Sequence, residues 1–148
     1  MKSKTPLTLM EQLVMVLVFA LAAAFCLQIF VAANRISKRN EAVSQAALMA
    51  QNTAELLKSS SEDWEQALVD NRWEKTENSW CISYDESWKP VENDRDQAYQ
   101  MKILETEASV EGLVRVRIQV TDETVKGNED DTVLFQIPVA WQEVSAHE

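Results

Sequence analysis

The polarity of the chain changes its period twice. From Leu13 to Ala33 it is almost uniformly apolar: Gln28 is the one strongly polar member, and no Asp, Glu, Lys or Arg occurs between Glu11 and Arg35. At about 1.5 Å per residue, a helix over this run covers roughly 30 Å, the hydrocarbon thickness of a bilayer. A soluble core helix carries polar residues every few positions, and this run does not. The pattern therefore predicts a transmembrane helix over 13–33, preceded by a short segment, 1–12, that starts the helix. A cleavable signal peptide has an apolar core of only about 7–15 residues, so a retained anchor is favoured.

From residue 34 to 58 the spacing becomes helical. Ile36, Val43, Ala46, Ala47, Ala50, Ala54 and Leu57 recur mostly at intervals of three, four and seven, one stripe of an amphipathic helix. No glycine or proline interrupts the chain between Pro6 and Pro90. One helix from about Leu7 to Lys58 is expected, on the order of 75 Å long. Small alanines at so many stripe positions suit close packing on a sheet or a neighbouring helix. Then comes "SSSED". Ser60 or Ser61 can cap a second, short helix over about 61–75, with Trp64, Ala67 and Leu68 on its buried side and Trp73 as a candidate for either side.

Beyond residue 78 the period is two. Trp80, Ile82 and Tyr84 alternate with Cys81 and Ser83, and "DES" is turn material before a return strand starting at Trp88 and Val91. Tyr99, Met101 and Ile103 share a face. Val114, Val116, Ile118 and Val120 alternate with Arg115, Arg117 and Gln119, the clearest strand in the chain. Val133, Phe135, Ile137, Val139 and Trp141 form a last apolar face. Pro138 among them has no N–H to donate, which puts that strand at an edge or at a bulge. Strands with one apolar face make an antiparallel sheet with one side covered. The amphipathic half of the long helix is the available cover, so the fold class is α+β.

Charge separates the same regions. Residues 1–59 hold six Lys/Arg and three acids, a balance of +3; the full-chain balance is −10, which leaves −13 on residues 60–148. So acidic a domain argues against nucleic acid as a partner, because phosphates are held by Lys and Arg. Lys2 and Lys4 precede the apolar run and Arg35, Lys38 and Arg39 follow it, a bias of one residue that by itself favours the C-terminal side as cytoplasmic. Cys26 and Cys81 lie far apart in sequence and read as small buried hydrophobes rather than a disulfide framework. The single histidine, His147, stands one residue from the C-terminus, so no Ser–His, Cys–His or imidazole–zinc constellation can be drawn. With two glycines there is no phosphate-cradling loop. An enzyme is not expected, and neither a cofactor nor a small-molecule substrate is implied. Trp80 and Trp141 fall on inner faces; Trp73 and Trp88 are the candidates for an exposed binding surface.

The stretch "LTLMEQLVMVLVFALAAAF" resembles the N-terminal segment of type IV pilins and type II secretion pseudopilins. In that family a basic leader precedes an apolar or aromatic residue, then threonine, leucine, an aliphatic residue and glutamate. Lys2 and Lys4 match the leader, and Leu7, Thr8, Leu9, Met10 and Glu11 match the run. The resemblance covers roughly residues 2–33. It implies a pilin-like fold and subunits assembling through their helices into a filament, with Glu11 meeting the N-terminal amine of the adjacent subunit. The implied partners are the lipid bilayer, other pilin-like subunits and assembly machinery. It also implies a cytoplasmic N-terminus and an acidic extracytoplasmic β domain over 59–148. A buried carboxylate in hydrocarbon needs such a partner.

Pro6 departs from the family, whose leader ends in glycine beside the peptidase cut. The ring of Pro6 fixes φ and removes an N–H, which bears directly on cleavage between Pro6 and Leu7 and on methylation of Leu7. Two readings of Glu11 stay open, an assembly acid or an interfacial acid reaching headgroup water. Pro6 itself also suits the first turn of a helix. Some pseudopilins hold calcium in a loop of the sheet domain. Asp122, Asn128, Asp130 and Asp131 in "DETVKGNEDD" could supply several of the six to eight oxygens it takes. The spacing is not that of an EF-hand, and a solvated hairpin turn is the other reading. The expected function is a membrane-anchored pilin-like structural subunit; the alternative is an uncleaved single-pass protein displaying a binding domain that does not polymerise.

Overall fold

The computed structural model describes residues 4–93, 95–107 and 110–142. Helix α1 runs without a break from Thr5 to Ser59. Pro6 sits in its first turn, where the missing N–H would have had no intrahelical partner. At the other end Ser60 N–H still reaches Leu56 C=O at 3.0 Å, and the Ser59 hydroxyl donates to the same carbonyl at 2.9 Å.

The chain divides into two units, residues 1–41 and 42–148. In the first, every described residue is exposed and helical from Thr5 on. In the second, the end of α1 lies on a sheet. The covering stripe begins later than the spacing suggested. Ala42, Ala46, Ala50 and Ala54, four residues apart, form the buried seam together with Thr53 and Leu57. Ile36 is exposed and Val43 and Ala47 are only half-buried. Alanine at each step lets the helix backbone come close to the strands, and Leu57, wholly buried, adds bulk at the end of the seam.

Helix α2 spans Trp64–Asp70, shorter than the expected 61–75, and neither Ser60 nor Ser61 caps it: Asp63 takes the N-cap place, with no side-chain cap bond. Its C-terminus explains the early stop. Arg72 is left-handed (φ 64°), its N–H bonds Val69 C=O at 3.0 Å, and Trp73 N–H bonds Leu68 C=O at 3.0 Å. This is a Schellman end with arginine where glycine is usual, and with Leu68 and Trp73 both buried beside it. Trp73 is therefore core, and its expected place on an exposed binding surface is corrected.

Six antiparallel strands follow: β1 Glu74–Thr76, β2 Ser79–Tyr84, β3 Pro90–Val91, β4 Tyr99–Thr106, β5 Leu113–Asp122 and β6 Val133–Gln142, with the four-residue helix α3 (Glu129–Thr132) before the last. The order is β1-β2-β4-β5-β6, and β3 also pairs with β2. Edge strand β6 carries Pro138, as its missing donor requires. The irregularity lies elsewhere, at Val120/Thr121, where Thr121 pairs Val133 and leaves Leu134 extra.

The inner face joins Trp80, Ile82 and Tyr84 of β2, Met101 and Ile103 of β4, Val116, Ile118 and Val120 of β5, and Val139 and Trp141 of β6 in one core with the alanine seam. Trp64 of α2 meets Trp80 and Trp141 edge to face, at 6.5 and 5.7 Å. Met101, Ile103, Ile118, Val116, Val120, Leu57 and Leu68 are wholly buried. Each such side chain contributes about 1.5–3 kcal/mol by leaving water, so the core alone fixes which face of every strand is covered. The long helix on an antiparallel sheet is the α+β architecture expected.

Candidate functional site

At the start of α1 the backbone bond from Thr8 N–H to Lys4 C=O is 3.2 Å, and the Thr8 hydroxyl donates to the same carbonyl at 3.1 Å. Leu7, Leu9 and Met10 are all exposed, as is Glu11. On a helix the neighbours of Glu11 at three and four positions are Leu7, Thr8, Val14 and Met15, and none of them is a cation. Among the described residues Glu11 has no ion-pair partner. A carboxylate at the rim of an apolar run, with nothing on its own helix to neutralise it, needs a partner from outside the chain or water at the rim. The apolar surface beyond it is continuous: Leu13, Phe19, Phe25, Ile29 and Phe30 are more than half exposed. This helix is long and apolar enough to cross a membrane. Cys26 is exposed on it, and both cysteines are free thiols.

The acidic loop is a set of local turns. Asp122 Oδ1 accepts Thr124 N–H at 2.9 Å and the Thr124 hydroxyl at 2.5 Å. Asn128 stands at the N-cap position of α3 with no side-chain cap bond, and Asp131 is within that helix. The Asp130 side chain lies outside the described residues, as does His147. Among the described residues no group of three His, Cys, Asp or Glu side chains converges, so the structure does not assemble the calcium candidates into a cage.

Trp88 is half-buried and left-handed (φ 60°). Asp85 N–H to Lys89 C=O at 2.9 Å and Trp88 N–H to Asp85 C=O at 3.0 Å close a three-residue hairpin loop, with Asp85 Oδ1 accepting Ser87 and Lys89 N–H. Trp88 holds the place where such loops normally carry glycine. Its ring stacks on Tyr99 at 4.2 Å and 6° and tilts against Tyr84 at 6.0 Å. It closes one end of the core rather than offering a free platform. Burial beneath it pushes the Tyr84 phenol up to about 12.

The uncovered face of the sheet holds a feature visible in the sequence only as the polar half of an alternation. Arg115, Arg117 and Gln119 of β5 point away from the core, with Lys102 opposite Gln119 and Leu104 opposite Arg117 on β4. Across β5, Ala140 and Pro138 of β6 pair Arg115 and Arg117. Lys102, Arg115 and Arg117 thus form one cationic row on a domain of charge −13. The single ion pair among the described residues is elsewhere, Lys75 Nζ to Glu65 Oε1 at 3.2 Å.

Compared with protein-family models, curated proteins and solved structures, the chain matches none.

Proposed function

We propose that the chain is a membrane-anchored, pilin-like or pseudopilin-like structural subunit of a filament of the type IV pilus, type II secretion or DNA-uptake kind. The observation that carries the proposal is one unbroken helix, Thr5–Ser59, whose first part is apolar and exposed while its last part is an alanine seam on an antiparallel sheet. A helix that is bare over its first 37 described positions has surface for lipid and for other helices. Glu11, unpaired on its own helix, would be satisfied by the N-terminal amine of the next subunit, and that favours ordered over random packing. In this reading the N-terminus is cytoplasmic and the acidic sheet domain extracytoplasmic.

A second reading rests on Pro6. Its place in the first turn of α1 is satisfied without any processing, and an uncut chain has no free amine beside Glu11. The chain would then be a single-pass anchor displaying its sheet domain without polymerising. Intact mass of the protein taken from cell membranes separates the two. Loss of Met1–Pro6 supports maturation as a pilin-like subunit, and retention of those residues rejects it.

A further inference from the structure

We propose that the cationic row of the sheet, Lys102, Arg115 and Arg117, docks against the acidic corner of a second copy formed by Glu62, Asp63 and Asp70. The inference deepens the filament reading and rests on it, because it names the contact between neighbouring sheet domains.

Residues 60–148 carry eight of the 14 Lys/Arg and 21 of the 24 acids. Among the described residues only Lys75 of these eight cations makes an ion pair. Lys102, Arg115 and Arg117 have none, and what sets them apart is that they share one face of the sheet. They are held on one face by strand alternation and by the β4–β5 register, so they act together. Their immediate neighbours are small or neutral: Gln119, Gln136, Pro138 and Ala140. The outer sides of Arg115 and Arg117 are open to solvent.

The complementary surface is on the other side of the same unit. Glu62, Asp63, Gln66 and Asp70 line a concavity of about 500 Å³ where α1 turns into α2. Glu65, on the same turn, is already neutralised by Lys75. Glu62 and Asp63 are exposed with no ion-pair partner among the described residues, and Asp70 takes a bond from Gln66 Nε2 at 3.0 Å. Helix α2 packs on the inner face of the sheet through Trp64 and Leu68, whereas the cations leave the outer face. One copy can therefore use both surfaces at once.

A second copy is the occupant that this charge pattern fits. Domains of −13 placed side by side repel within a Debye length of about 8 Å. Laying the one basic face on an acidic corner turns part of that repulsion into attraction and fixes orientation. The two surfaces differ, so the contact is head-to-tail, the kind that extends into an open helical array where its rotation does not close. An anionic polymer fits less well, since three cations sit among many more acids.

The test uses the full chain in its own membrane, with Cys26 and Cys81 replaced by serine and one cysteine pair introduced, Ala140→Cys beside Arg115 and Gln66→Cys in the acidic corner. Mild oxidation should give linked copies through this pair. Arg115→Glu with Arg117→Glu should lower that yield roughly tenfold, as should high salt, and adding Glu62→Lys with Asp63→Lys should restore it. Arg115→Gln with Arg117→Gln, which keeps side-chain bulk, should lower it in the same direction if the reversed pair harms folding. Amine-reactive cross-linking of membranes carrying Arg115→Glu with Arg117→Glu, in which the sheet contact is broken, reads assembly through the helices separately. A helix ladder without the Ala140→Cys/Gln66→Cys link overturns the contact and leaves the filament reading standing. The link without the ladder supports the contact and rejects the filament. A link insensitive to charge reversal, a link between two Ala140→Cys positions, or a link to a different protein overturns the proposal.

Discussion

The Thr53 hydroxyl of α1, bonded back to Met49 C=O at 3.0 Å, also lies 3.5 Å from the Met101 sulfur of β4. A side chain as short as threonine reaches the sheet because its neighbours on the seam are alanines. The consequence is that the alanine positions of the seam have no room for a larger residue.

Ala50 is wholly buried there, while Leu48, two positions back, is about half exposed. Ala50→Leu should lower the unfolding free energy of the detergent-solubilised chain by about 1–3 kcal/mol through overpacking. Leu48→Ala should stay within about 0.5 kcal/mol. Thermal unfolding followed by tryptophan fluorescence measures both, and equal effects would contradict the packing described.

Trp88 sets strain against burial. A left-handed non-glycine residue costs roughly 1–2 kcal/mol. Half of the surface that an aromatic ring normally buries, about 100 Å², returns about 2.5 kcal/mol, and stacking on Tyr99 adds about 0.5–1.5 kcal/mol. Burial outweighs strain, so Trp88→Gly should destabilise by about 1–2 kcal/mol despite relieving the backbone. A stabilised variant would show that the ring contributes little.

Tyr84 gives a pH signature. With its folded pKa raised to about 12 from 10.0 by burial, both states keep the proton below pH 10 and stability is unaffected there. Between pH 10 and about 12 the unfolded chain releases the proton and the native one holds it, so stability falls as pH rises. Tyrosinate absorbance should show a component titrating near 12 that disappears in Tyr84→Phe, and the variant should lose part of the alkaline decline.

Much of the fold was legible because two signals are strong. Twenty-odd apolar positions in a row admit one structure, and Val114, Val116, Ile118 and Val120 alternate cleanly. What escaped lies where an unusual residue does a usual job. Arg72 and Trp88 adopt left-handed conformations that the sequence would signal with glycine, so the residue pattern alone carries α2 past its true end to Trp73 and places Trp88 in a strand. The strand β1, Glu74–Thr76, has no apolar residue at all; it forms because β2 offers an unpaired edge. Of the site, the exposed Glu11 run could be read from residue types alone. The cationic row could not, because the alternation places Arg115 and Arg117 on one face but only the β4–β5 register brings Lys102 beside them.

In the proposed filament, copies assemble through their helices with Glu11 as the deciding group. Amine-reactive cross-linking of intact membranes, through exposed lysines such as Lys38 and Lys58, tests it most directly. The wild-type chain should give a ladder of oligomers. Glu11→Ala should reduce that ladder to monomer while the protein stays in the membrane fraction at an unchanged level. An undiminished ladder in Glu11→Ala, or no ladder in the wild type, would rule out assembly through Glu11.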